Sequence, residues 1–133
     1  MPLKKPLRLV MPNLIRALPP SFAWIDHGLR TRQFLSDFSP EEFGLYVFLS
    51  LAADANGLSC WRLDVMERTM PVFQRHQLWD ARERLMKKRL LAFRSWNPSD
   101  PDGTYQLLPV PSVKPKADTD LQTALAGILK SVS

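Results

Sequence analysis

Side chains of the types that act as nucleophiles, metal ligands or acid–base catalysts are few in this sequence of 133 residues. The only thiol is Cys60, and the two histidines are His27 and His76. Because a tetrahedral zinc site takes four ligands, these residues would need several carboxylates beside them. Cys60 falls in a predicted strand, where we expect a buried structural thiol rather than a nucleophile. We therefore predict no metal, no cofactor and no enzymatic activity.

Basic residues are concentrated towards the amino end of the chain, whose formal net charge is +5. Residues 1–38 carry six basic and two acidic side chains, residues 39–96 carry nine and seven, and residues 97–133 carry three and four. A basic arm beside a nearly neutral domain is common among nucleic-acid-binding proteins, because neutralising phosphates releases counterions. A modest positive charge is also found in proteins that bind no polyanion.

Prolines and apolar periodicity divide the chain into three parts. Residues 1–20 contain five prolines and form a predicted basic arm, residues 21–111 a domain with a lead-in segment, and residues 112–133 a linker and an amphipathic helix. A single cysteine forms no internal disulfide, so we expect the reducing cytoplasm. No apolar run approaches the roughly 18 residues of a membrane span, and the amino end lacks a signal-peptide pattern.

The strongest helix signal begins at Ser39. This serine fits the N-cap, Pro40 fits the first helical position, and Glu42 completes a capping box. Residues 43–53 are apolar almost all the way round, which predicts a central helix ended by Asn56-Gly57.

Shorter elements are predicted before and after this helix. An edge strand at 58–60 comes next, followed by a short helix at 63–69 and a tight turn at 70–72. A third helix at about 74–89 has a buried stripe of Leu78, Ala81 and Leu85. The last predicted element is a hairpin of strands 90–96 and 105–110, joined by the loop 97–104. The lead-in segment is predicted to pack onto the core through Phe22, Trp24, Ile25, Leu29, Phe34 and Leu35. Trp96 is predicted near the core as well.

This order of elements resembles that of the winged helix-turn-helix domain, over about residues 39–110. The chain is also similar to the amino-terminal domains of plasmid and phage replication initiators and to small helix-turn-helix proteins of bacterial mobile elements. That similarity lies in Ser21-Phe22-Ala23-Trp24-Ile25-Asp26, Ser39-Pro40-Glu41-Glu42, Leu45-Tyr46-Val47-Phe48-Leu49 and Asp54-Ala55-Asn56-Gly57-Leu58-Ser59. The resemblance implies a mainly α fold with a small antiparallel β-hairpin, and DNA binding in replication, transposition or transcription control.

In winged-helix domains the third helix usually lies in the major groove, with its amino-terminal half near the base edges. On that pattern Arg75 is predicted to pair with a guanine, Gln74 or Gln77 with an adenine, and Arg82 or Arg84 with phosphates. Supporting phosphate contacts are predicted from Lys87, Lys88, Lys4, Lys5 and Arg8. The expected partner is double-stranded DNA.

Acidic residues support an alternative. Asp80 and Glu83 lie on the face of the third helix that would meet phosphates, and the hairpin loop carries Asp100 and Asp102. A protein–protein adaptor with the same fold, no direct DNA contact and a partner from the same operon fits these charges. The predicted partner-binding residues are Trp61, Trp79, Leu125 and Ile128. The last two lie on the carboxy-terminal helix, which either joins two copies as a homodimer or folds back onto its own domain.

Overall fold

A computed structural model describes residues 6–113 of the chain. Within them lie four α-helices, a short 3₁₀ turn at Leu35–Asp37 and three strands: α1 Gly28–Thr31, α2 Pro40–Ala52, β1 Leu58–Trp61, α3 Leu63–Thr69, α4 Arg75–Lys87, β2 Leu91–Ser95 and β3 Gly103–Leu107. No helix in this part of the chain is both long and apolar enough to cross a bilayer. Lys4, Lys5, Leu125, Ile128 and the predicted carboxy-terminal helix lie outside the described residues.

The capping box at the start of α2 is confirmed. Ser39 Oγ accepts a hydrogen bond from the Glu42 amide at 3.1 Å, and the Glu42 carboxylate accepts one from the Ser39 amide at 3.5 Å. These two bonds satisfy backbone donors that have no partner within a helix. The local sequence alone therefore determines where α2 begins.

The predicted stop at Asn56-Gly57 is wrong, because α2 ends at Ala52. The turn that follows leads into β1, and Asp54 Oδ1 accepts hydrogen bonds there from the amides of Asn56 and Leu58, at 2.8 and 2.9 Å. Gly57 has a φ of +83°, and a Cβ on it would lie 2.8 Å from the Leu107 carbonyl oxygen. Glycine is required by this turn rather than by the end of the helix.

The three strands form one antiparallel sheet in the order β1-β3-β2. Phe93 of β2 pairs with Tyr105 of β3, which confirms the predicted hairpin, and β1 lies at the edge as predicted. Strand β3 starts at Gly103 rather than at residue 105, and a Cβ at Gly103 would lie 2.1 Å from the Arg94 carbonyl oxygen. Only glycine allows the two backbones to approach this closely.

Helices α2 and α4 form the centre of the core with the inner face of the sheet. The predicted stripe of α4 is confirmed, since Leu78, Ala81 and Leu85 are fully buried. The lead-in segment is confirmed in part. Its two buried apolar residues are Leu29 and Phe34, whereas four others are exposed: Phe22, Trp24, Ile25 and Leu35.

Three further expectations about burial are wrong. Phe43 and Leu51 are exposed, so α2 is covered on one side rather than all round. Trp96 is 48% exposed, because it follows the last paired residue of β2 at the start of the hairpin loop. Cys60 is exposed too, since its register opposite Thr104 places it on the outer face of the sheet, where its Sγ lies 3.5 Å from Thr104 Oγ1.

Candidate nucleic-acid interface

One side of α4 faces the core, and the opposite side is open to solvent. The exposed residues of this side are His76, Asp80, Arg84 and Lys87. At the amino-terminal end, Gln74 precedes the helix and is exposed, and its amide donates to Gln77 Oε1 at 2.8 Å. The free surface of α4 is therefore polar and carries both signs of charge, with Arg84 and Lys87 towards its carboxyl end and the carboxylate of Asp80 between them and His76.

Arg75 occupies the first turn of α4 with its side chain 57% exposed. Glu67 of α3 accepts a hydrogen bond from the Arg75 amide at 2.9 Å and another from its guanidinium at 3.3 Å. An exposed ion pair of this kind contributes only about 0–1 kcal/mol. The guanidinium of Arg75 is therefore oriented by Glu67 but only weakly bound to it.

Gln77 is less available than the sequence suggested. Its Oε1 accepts from the Gln74 amide, and its Nε2 donates to Glu41 Oε1 of α2 at 3.4 Å. Both the oxygen and the nitrogen of this side-chain amide therefore form hydrogen bonds within the protein. A contact from Gln77 to an adenine would break both bonds, which leaves Gln74 and Arg75 as the better placed pair.

Arg82 does not contact solvent, and its predicted role at phosphates is wrong. The residue is 1% exposed, and its Nη1 donates to the Pro101 carbonyl at 2.7 Å and to the Tyr105 hydroxyl at 3.0 Å. Its guanidinium carbon lies 3.9 Å from the centroid of the Phe93 ring and 4.2 Å from that of Trp79. We call these five residues the Arg82 cluster. Cation–π contacts and hydrogen bonds replace the water that this charge has lost.

Lys88 is also engaged inside the protein, so a phosphate contact from it would have to break the bonds that it makes there. Its ammonium group binds the carboxylate of Glu42, whose side chain is only 3% exposed, and donates to the Asp37 carbonyl at 2.9 Å. The Phe38 ring lies 5.0 Å away on the same side. Lys87, the preceding residue, is exposed.

An open cleft of about 700 Å³ lies between α3, the first turns of α4 and the hairpin loop. Arg75, His76, Trp79 and Pro101 are among the residues that line it. Trp79 is 40% exposed, and one face of its ring rests on the buried Arg82 guanidinium. An exposed aromatic surface beside a cation suits either a nucleic acid or a protein partner.

Trp61 does not form the exposed anchor that was predicted beside Trp79. Its ring is half-buried and meets Phe48 edge to face at 4.7 Å between centroids. The residue lies in β1 opposite Gly103, on the inner face of the sheet, which explains this contact. Trp61 therefore belongs to the packing of the domain rather than to its free surface.

The acidic side chains of the hairpin loop are bound to backbone amides. Asp102 Oδ1 accepts from the Leu63 amide at 2.8 Å, at the start of α3, and Asp100 Oδ1 accepts from the Asp102 amide at 2.9 Å. Both residues are half-buried. Because partial positive charge at a helix amino terminus offsets a carboxylate, the loop repels phosphates less than its composition suggests.

Both tyrosines of the chain are buried, and this predicts an unusual alkaline titration. Burial raises the pKa of Tyr46 and of Tyr105 above the usual value of about 10. The negative charge of Asp26 raises the pKa of Tyr46 further. The positive charge of Arg82 and its hydrogen bond act in the opposite direction on the pKa of Tyr105. Above about pH 10 the unfolded chain loses these protons while the folded chain keeps them, so the free energy of unfolding should fall as pH rises.

An absorbance titration of tyrosinate checks this expectation. The folded protein should ionise at higher pH than the same protein in concentrated urea, and Tyr46→Phe and Tyr105→Phe should each remove about half of the signal. Coincident titrations in the two solvents would contradict it.

The exposed side of α4, the cleft at its amino terminus and Arg8 in the exposed arm form the candidate interface. Within residues 6–113 no group of three or more histidine, cysteine, aspartate or glutamate side chains is arranged to hold a metal ion. No protein-family model, curated protein or solved structure matches the chain, so the comparisons with known proteins assign it to no family.

Proposed function

We propose that this protein is a winged helix-turn-helix domain that binds double-stranded DNA, with α4 in the major groove and without catalytic activity. The observation that carries the proposal is the placement of α4. Its exposed first turn presents Arg75 beside the hairpin loop, and its far end presents Lys87. A recognition helix contacts base edges with its amino-terminal residues in the same way.

The order of elements supports the winged-helix part of the proposal. A helix (α2), a strand (β1), two helices joined by a short turn (α3 and α4) and a hairpin (β2 and β3) follow one another along the chain. The first strand pairs with the last, which gives the sheet order β1-β3-β2. In this arrangement the loop of the hairpin is the wing.

The distribution of cations supports the DNA-binding part. Arg75 suits the bidentate pairing of a guanidinium with guanine, and Arg84 and Lys87 are exposed farther along the same helix. Arg8 lies in an exposed arm that can follow the backbone or enter a minor groove, as the arms of some DNA-binding domains do. The carboxylates of Asp100 and Asp102 accept hydrogen bonds from backbone amides, which weakens one objection, the acidic composition of the wing.

The arm also favours a second candidate function, a protein–protein adaptor. Its apolar side chains are largely exposed: Leu7, Leu9, Val10, Met11, Leu14, Ile15 and Leu18. Contiguous apolar surface of this kind usually marks a binding site for another protein. On this alternative the cleft around Trp79 binds a partner from the same operon or a second copy of the chain, and affinity for DNA is weak and insensitive to salt.

Fluorescence anisotropy of the purified protein with a labelled duplex, measured across a salt series, separates the two functions. We expect micromolar binding that weakens with salt, because each neutralised phosphate adds about 0.9 to the slope of log K against log salt concentration. Lys87→Ala should reduce that slope by about one, and Arg75→Ala should weaken binding by about tenfold.

Arg30→Ala provides the matched control, since it removes an exposed cation from α1, outside the candidate interface. If binding is absent even at low salt, or if Arg30→Ala weakens it as much as Arg75→Ala does, the proposed role of α4 is rejected. The first of these outcomes would favour the adaptor.

A further inference from the structure

A second concave surface lies on another part of the domain. This groove, of about 520 Å³, runs between the lead-in segment, the carboxyl-terminal half of α2 and the residues that follow β3, and we call it the Tyr46 groove. Phe22 and Trp24 line it and are 63% and 76% exposed. Two exposed aromatic side chains beside a groove make it a candidate binding surface.

The Tyr46 groove contains carboxylates as well as apolar surface. Asp26 and Asp54 line it, and the nearest described cation is Arg32, whose guanidinium is bound at the edge of the groove to the carbonyls of Val110 and Pro111. The carboxylate of Asp26 acts on the Tyr46 hydroxyl, whose pKa is raised first by burial and then by this charge. A segment that combines cations with apolar side chains is the occupant that fits such a groove.

The chain leaves the described domain beside this groove. Arg32 donates hydrogen bonds to the carbonyl oxygens of Val110 and Pro111, at 3.0 and 3.5 Å, and Val110 itself lines the groove. Twenty residues follow Val113 in the sequence. The next residues are Lys114-Pro115-Lys116, so two cations come directly after the point of exit.

The remaining residues have the pattern of one apolar helix face. Apolar side chains recur at the spacing of three and four that places them on a single stripe: Leu121, Leu125, Ile128, Leu129 and Val132. Residues 114–118, if extended, span up to about 17 Å, and they begin four positions after Val110, which lines the groove. The stripe is therefore able to reach the groove.

We propose that residues 119–132 form an amphipathic helix that docks its apolar stripe into the Tyr46 groove of the same chain, against Phe22 and Trp24. Lys114 and Lys116 then lie near the carboxylates of Asp26 and Asp54. The occupant is the chain's own segment rather than that of a second copy, because a short linker holds it at an effective concentration in the millimolar range. This docking is independent of any binding to DNA.

Hydrogen–deuterium exchange of the full chain, followed by mass spectrometry at two protein concentrations, tests the proposal. In the unmodified protein, amides of residues 121–132 and of residues 22–25 should exchange about tenfold more slowly than the same sequences in isolated peptides. Leu125→Asp places a carboxylate on the apolar stripe, and Trp24→Asp places one in the groove. Each should abolish the protection of both segments.

Two matched variants control for the added charge. Thr123→Asp lies on the opposite face of the predicted helix, and Trp96→Asp alters an exposed tryptophan of the hairpin loop outside the groove; both should preserve the protection. Exchange of residues 121–132 at the rate of a free peptide would overturn the proposal. Protection that appears only at the higher protein concentration would also overturn it, since the occupant would then be a second copy.

Discussion

Arg82→Ala should lower the free energy of unfolding by about 4 kcal/mol, a large share of the 5–15 kcal/mol that is typical of a single domain. The substitution empties a fully buried site and removes the donor for both the Pro101 carbonyl and the Tyr105 hydroxyl. It also removes the guanidinium that rests between the rings of Trp79 and Phe93. Urea unfolding followed by circular dichroism measures the change.

Two further variants show which part of Arg82 matters. Arg82→Met keeps most of the volume and loses the donors, so it should cost about 2 kcal/mol. Arg84→Ala, two residues farther along α4 and exposed, should change stability by no more than about 0.5 kcal/mol. If Arg82→Ala and Arg84→Ala unfold at the same urea concentration, the Arg82 cluster does not stabilise the fold.

Lys88→Met should cost about 3 kcal/mol, because it leaves the Glu42 carboxylate buried without its cation. The double variant Glu42→Gln/Lys88→Met removes that unpaired charge. Its glutamine amide oxygen can still accept from the Ser39 amide, as the carboxylate of Glu42 does. We expect the unfolding free energy of the double variant to return to within about 1 kcal/mol of that of the unmodified protein. A double-mutant cycle that includes Glu42→Gln should then give a large coupling energy between the two residues.

An exposed arginine of the same helix supplies the control for this experiment. Arg84→Met removes an exposed cation from α4 and should change the unfolding free energy by no more than about 0.5 kcal/mol. Equal losses in Lys88→Met and in the double variant would contradict our interpretation. They would show that the two side chains act separately, through packing rather than through their charges.

The parts of the fold that were predictable from the sequence rest on local patterns. The capping box of Ser39 and Glu42 involves residues three positions apart, and the buried stripe of α4 follows from helical spacing. The hairpin follows from two apolar runs around a loop rich in turn formers. Each of these signals is contained within about twenty residues, so no knowledge of tertiary contacts is needed to interpret it.

The roles of individual charged residues were not predictable in this way. Arg82 donates to the carbonyl of a residue 19 positions away in the sequence, and Lys88 binds the carboxylate of a residue 46 positions away. Helical spacing places Arg82 beside the buried stripe, but only the packing of α4 on the sheet brings Phe93 and Tyr105 around it. Aromatic residues at inward positions of both predicted hairpin strands were the one available signal that a cation could be enclosed there.

The predicted burial of Trp24 was wrong for a related reason. Trp24 has a large apolar surface, yet it lies in an extended segment that forms neither a helix nor a strand. An apolar side chain is stabilised by burial, but whether other residues pack over it depends on the tertiary fold. The same consideration leaves Trp79 partly open, since Arg82 covers one face of its ring.

The hairpin loop contains two halves that should differ in their tolerance of inserted residues. From Asp100 to Gly103 the loop is bound to the rest of the domain through the Asp102 carboxylate, the Pro101 carbonyl and a glycine that no larger residue replaces. Residues 97–99 are exposed at the tip. An epitope or label added by design therefore belongs between Asn97 and Ser99, where the chain can lengthen without disturbing α3 or α4.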